Sequence, residues 1–185
     1  GCTKLNQEFY SQVTPETFFQ SEKDILAALN RQFTHARWYL GEDRWRLQEY
    51  TADNFAITTK GRHWYNGGEN ERYHYHRWTQ DEGWIWGSWR GTLMGVALAL
   101  DAKTDLEKLD YTRFALTEDD KQAHLNQLNT LAAFFYLRGL DYFGGMPIFS
   151  TLEGESLPRN TDAELFAHIE SILQTAIPLL PNKEA

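Results

Sequence analysis

Apolar residues recur at intervals of three and four along several stretches of this chain, and one long segment between them loses that interval. Leu128, Leu131, Phe135, Gly139 and Tyr142 fall on one helical face, with Ala132 and Ala133 small enough for a neighbour to come close. Gly144-Gly145 then offers the backbone freedom a helix end uses, and Pro147 stops the helix from resuming. Upstream, Thr14-Pro15-Glu16 is a helix-start signal with Pro at the first helical position. Ser21 three residues before Asp24 is a variant capping box, opening a helix that buries Ile25, Leu26, Leu29, Phe33 and Ala36 and ends near Gly41. Gly83 to Leu100 predicts a second helix with Trp86, Trp89, Leu93, Val96, Ala97 and Leu100 facing inward. Residues 101–116 read as a charged connection. Thr117 with Asp120 repeats the capping pattern at the start of the long helix, and Thr161 with Glu164 forms a full capping box. The last helix buries Leu165, Ile169, Ile172, Leu173 and Ala176 and stops before Pro178. The class is mainly α.

From Arg44 to Asp81 the periodicity fails. Gly61, Gly67 and Gly68 punctuate a polar and aromatic stretch read as loop with short strand pieces such as Phe55 to Thr59. A loop of this length inside a compact domain is usually functional or disordered, and its many Trp and Tyr argue against disorder. Aromatic residues make up 15% of the 185-residue chain, with seven Trp crowded between Trp38 and Trp89. That excess, at low overall hydrophobicity, points to ring surface used for contact as well as for core. A net charge of −8 repels nucleic acid, which is therefore not expected as a partner. No apolar run reaches the ~18 to 20 residues of a spanning helix. Cys2 is the only cysteine, so no internal disulfide forms.

Several constellations suggest catalysis or metal binding. His74-x-His76 with His63 and Glu71 would offer zinc ligands if alternate residues of a strand projected to one face, yet no zinc spacing is completed and no metal is expected. Asp119-Asp120 and Glu153 with Glu155 are carboxylate pairs, but they sit at a helix start and in a solvated loop, where capping and solubility account for them. Neither a nucleophile elbow nor a phosphate-cradling loop is present, so no enzyme and no cofactor is expected. The stronger candidate is Arg62-His63-Trp64-Tyr65-Asn66, flanked by Gly61 and Gly67-Gly68, with Tyr73 counted alongside. A sugar ring has an apolar C–H face and a rim of hydroxyls, and this set supplies flat rings beside donors and acceptors. Two readings of Trp64 stand together: a ligand platform, or a plug holding the loop onto the helices. Trp78, Trp86 and Trp89 read as core.

The helix closing on YFGGMPIF, followed by PRNTDAELFAHIESILQTAIPLLP, resembles the SusD/RagB family of nutrient-binding outer-membrane lipoproteins. TADNFAITTKGRHWYNGG, continuing to HYHRWT, also resembles the family pattern of an acidic turn, a Trp-bearing glycine loop and a His and Trp segment. Asn54 replaces the expected acid, Leu93 and Leu100 stand where relatives carry Tyr and Asn, and Leu131-Ala132-Ala133 replaces Leu-Arg-Ala. The resemblance implies tetratricopeptide-like stacked helix pairs, an α-α superhelix carrying the irregular aromatic loop region. Residues 1–20 would be a lipid-anchor tether acylated at Cys2, and 21–185 the N-terminal helical region of a longer protein, unstable without its remainder or a partner. The implied role is non-catalytic: capture of oligosaccharide or polysaccharide at the cell surface and delivery to a SusC-like TonB-dependent transporter, with membrane attachment through the lipid only. A helical protein-interaction scaffold, or a peptide- or other nutrient-binding subunit of such a transporter, is the alternative.

Overall fold

The computed structural model describes residues 14–152 and 157–181. Cys2, most of the tether, and the pair Glu153 and Glu155 lie outside the described residues. Among the described residues, seven α-helices run in the order α1 (Pro15–Phe18), α2 (Glu22–Tyr39), α3 (Trp45–Thr51), α4 (Glu69–His74), α5 (Gly83–Lys108), α6 (Glu118–Phe143) and α7 (Asp162–Ala176). No β-strand forms among the described residues.

The caps read from sequence are made. Asp24 Oδ2 accepts from the Ser21 backbone N–H at 2.7 Å and its hydroxyl at 2.8 Å, and Asp120 and Glu164 do the same for Thr117 and Thr161. Each carboxylate therefore satisfies donors that a helix start would leave without partners, and these bonds hold all three below the usual carboxylate range.

Long helices succeed one another antiparallel. Gln32 Nε2 donates to the Leu98 carbonyl at 3.0 Å, His35 Nε2 to the Gly91 carbonyl at 2.8 Å, and Tyr39 hydroxyl pairs with Thr92 Oγ1 at 2.9 Å, so α2 ascends as α5 descends. The α5–α6 pair is likewise opposed: Trp89 meets Phe143 edge-on near one end, and Leu106 clusters with Leu125 near the other. Tyr136 against His168 repeats the relation between α6 and α7. Helix α6 is the central beam, packed on α5 and α7. One core gathers Tyr39, Val96, Phe135, Tyr136, Met146, Leu165 and Ile169; a second gathers Phe19, Ile25, Leu29, Leu106, Tyr111 and Leu128. Phe19 thus belongs to the packed body, although the expected tether reached residue 20.

Gly-Gly-Met-Pro ends α6 by close approach as well as by flexibility. A Cβ on Gly145 would stand 1.8 Å from the Asn160 carbonyl oxygen, so only glycine lets the returning chain lie this near. Asp162 Oδ1 accepts from Gly145 N–H at 2.6 Å, Asn160 N–H donates to the Met146 carbonyl at 3.1 Å, and Tyr136 hydroxyl accepts from Phe149 N–H at 2.9 Å.

Several expectations are corrected. Helix α5 continues to Lys108, because Ala102 and Leu106 carry its apolar stripe onward while the charges lie on the other face. Leu26, Phe33 and Trp86 are exposed rather than inward, since each lies off the stripe that meets the neighbouring helix. Residues 44–51 are not loop, and the preceding helix does not end near Gly41: α2 passes through a π turn at Leu40–Arg44 directly into α3. Phe55 to Thr59 forms no strand, and the pairing nearby is one isolated bridge between Lys60 and His63.

Candidate functional site

The loop at 60–68 is short, left-handed at five positions and braced. Lys60 and His63 exchange both backbone hydrogen bonds at 3.0 Å, closing a two-residue turn with Gly61 at φ 60° in its first central position. Beyond it, Trp64, Asn66, Gly67 and Gly68 also have positive φ, at 65°, 45°, 59° and 78°. A tryptophan in this region is unusual and persists only where its surroundings hold it. Asn70, buried at the start of α4, donates from Nδ2 to the Trp64 carbonyl at 3.1 Å. Gly68 N–H reaches the Tyr65 carbonyl at 2.7 Å, and Asn66 Nδ2 reaches Glu69 Oε2 at 2.9 Å. Arg72 Nη1 donates to the Gly67 carbonyl at 2.7 Å while its other nitrogens engage Glu82.

This bracing turns two rings outward. Trp64 is 59% exposed and Tyr65 54%, so Trp64 does not plug the loop onto the helices. Lys60 Nζ stands 4.8 Å from the Trp64 ring centroid, a cation–π contact that steadies the indole while leaving most of it in water. Arg62, His63 and Asn66 are exposed on the same loop. The arrangement offers flat rings with hydrogen-bonding groups alongside, on a backbone with little freedom left to lose.

Tyr73 is not with them. It is fully buried, stacked on Trp84 at 5.0 Å between ring centroids and on Trp78 at 6.4 Å, and burial pushes its phenol pKa strongly up. Its role is to floor the region, not to meet a surface ligand. Trp78 lies partly in solvent instead of in the core, whereas Trp89 packs against Phe143. The histidines do not converge either. Residues 69–74 are helix rather than strand, which removes the alternation expected to aim His74 and His76 together. His74 Nδ1 lies 3.3 Å from Asp53 Oδ1, His76 Nε2 donates to the Thr51 carbonyl at 2.7 Å, and Glu71 accepts from Thr59. No group of three His, Cys, Asp or Glu is assembled to hold a metal among the described residues. Asp120 is occupied with its cap.

Sequence reasoning missed α3 and α4, whose Leu47, Tyr50 and Tyr73 form a third small core with Trp84, Ile85 and Tyr142. The Leu47–Tyr50 interval of three was the available signal. Arg44, also buried, donates from Nε to Tyr142 hydroxyl at 2.9 Å and ties this cluster to the end of α6.

No protein-family model matches the chain, and no curated protein matches it in sequence. Solved structures do. A SusD-like protein from Bacteroides fragilis aligns with a TM-score of 0.70 at 17% identity, over 92% of this chain and 32% of that one. Surface glycan-binding protein A from Bacteroides uniformis aligns at 0.70 and 17%, over 89% and 36%. A laminarin-binding SusD-like protein aligns at 0.67 and 15%, over 88% and 35%. The chain spans about a third of the length of these proteins. Over the part it spans, the helical arrangement is that of the SusD-like fold.

Proposed function

We propose that the chain belongs to a non-catalytic glycan-binding protein of the cell surface, lipid-anchored through Cys2 in the outer membrane, which captures oligosaccharide and delivers it to a SusC-like TonB-dependent transporter. The observation that carries the reading is the pair of exposed rings, Trp64 and Tyr65, on a loop that α4 braces, with Trp64 itself in the left-handed region. Such a surface matches the apolar face of a pyranose, and Arg62, His63 and Asn66 supply donors and acceptors for its hydroxyls. Support comes also from fold neighbours described as glycan- and laminarin-binding. No helix among the described residues is long and apolar enough to cross a membrane.

A glycan array probed with the full chain tests this directly. Binding to one glycan class, weakened in Trp64→Ala, is the expected result. Absence of binding to any glycan, with capture of peptides instead, would replace it with the peptide-binding reading.

A further inference from the structure

Helix α4 carries more than the loop at its start. Tyr73, in its last turn, lines a hollow of about 920 Å³ walled by α3, residues 78–80 and the end of α6. Gln48, Gln80 and Asp141 bring polar groups to this hollow. A second hollow of about 480 Å³ shares Gln80, Ile85 and Phe143 with the first and continues to Trp86, Trp89 and Arg159. With three residues in common, the two form one groove, and its exposed rings are Trp78, at 40%, and Trp86, at 61%.

We propose that this groove is a second carbohydrate subsite, separate from the Trp64 loop, which holds a neutral polysaccharide chain; the inference rests on the glycan-binding reading above. Trp78 is preorganised: it lies against Tyr73, which is itself sandwiched on Trp84, so the indole has a fixed orientation before any ligand arrives. The amides of Gln48 and Gln80 each carry both donors and an acceptor, which suits hydroxyl groups better than it suits an ion. Asp81 and Asp141 place two carboxylates along the groove, Asp141 accepting from Arg138 Nη1 at 3.2 Å, and Arg159 turns Nε and Nη2 to the carbonyls of Gly145 and Phe143. A uronate seated there would give up water beside Asp81, with Arg138 and Arg159 already engaged by protein acceptors. Rings in both hollows suit several sugar units in a row, so contacts add along a polymer and are absent for a short oligosaccharide.

Affinity electrophoresis of the full chain in gels containing a neutral β-glucan, a xylan or polygalacturonate tests the proposal, with Trp86→Ala and Gln80→Ala as variants because both side chains are exposed. Each variant is expected to weaken retardation by a neutral polymer roughly two- to tenfold while leaving trisaccharide binding unchanged. Trp64→Ala weakens both. The groove is ruled out if Trp86→Ala and Gln80→Ala, with parental melting curves, are retarded as the parent is. Equal retardation by polygalacturonate overturns the preference for neutral chains. A parent retarded by no polysaccharide overturns the glycan reading itself, and the groove with it.

Discussion

Arg72 grips Glu82 through two nitrogens, Nη2 at 2.7 Å from Oε2, and turns Nη1 to the Gly67 carbonyl at the same distance. One guanidinium thereby ties the residue preceding α5 to the left-handed loop. Glu82 is nearly buried, so its carboxylate depends on this partner, and the Arg72 hydrogen bonds hold its pKa below the usual carboxylate range.

Arg72→Ala leaves that carboxylate without its counter-charge and frees the loop. The expected result is a lower midpoint in urea unfolding, with faster amide exchange at Gly68. Arg72→Lys restores the charge but not the fork and recovers only part. In the parent, the stabilisation from this pair is fully present above the ordinary Glu value of 4.5 and is lost as pH falls through the lowered folded-state value.

At Trp64 the ring and the backbone conflict. Trp64→Gly removes a side chain from φ 65°, and Trp64→Ala does not relieve that strain. The glycine variant should therefore be more stable than the alanine variant by about 1 kcal/mol, while both lose the same glycan affinity. Thermal melts and glycan titrations of the two variants check this, and equal melting would show that the loop relaxes at no cost.

Helix α5 lies close against α6 at Gly95, where a Cβ would stand 2.4 Å from the Phe135 ring. Phe135 is fully buried and boxed in by His35 and Tyr39, so it has nowhere to move. Gly95→Ala is expected to destabilise by about 1–3 kcal/mol in chemical denaturation. Gly41→Ala, with open space around its Cβ, should be neutral or stabilising by up to about 1 kcal/mol.

Tyr136→Phe removes the acceptor for Phe149 N–H and should cost about 1–2 kcal/mol, with amide exchange at Phe149 rising more than at residues within α6. A uniform rise across the chain would instead mean that the bond matters only through global stability.

Burial holds the imidazoles of His35, His124 and His168 below the ordinary value of 6.5. A depressed folded-state pKa means that protonation favours the unfolded chain. Stability is then full above about pH 6.5 and declines as pH falls toward the lowered values, and His35→Gln should flatten that decline in pH-dependent melts.

Local chemistry explains why so much of the helical frame was legible. Ser21 with Asp24, Thr117 with Asp120 and Thr161 with Glu164 act within three residues, so their caps follow from adjacency alone. Leu165, Ile169 and Ala176 are buried as their spacing requires. Helices α3 and α4 were not legible, because their apolar faces are short and aromatic and are completed by Trp84, Ile85 and Tyr142 from distant elements. The candidate loop was legible as a set of residue types, and its five consecutive residues do lie together at the surface.

What the residues alone determined was the succession of the long helices α2, α5, α6 and α7, the caps of α2, α6 and α7, and the Gly-Gly-Met-Pro stop that closes α6. Only tertiary structure decided which aromatic rings face water. Trp64, Tyr73, Trp78 and Trp86 belong to similar residue types within 23 positions, yet Tyr73 is sealed between two indoles and Trp64 and Trp86 stand out. The difference arises because hydrophobicity fixes the gain from burial but not the partner that supplies it, and these partners come from elements far along the chain.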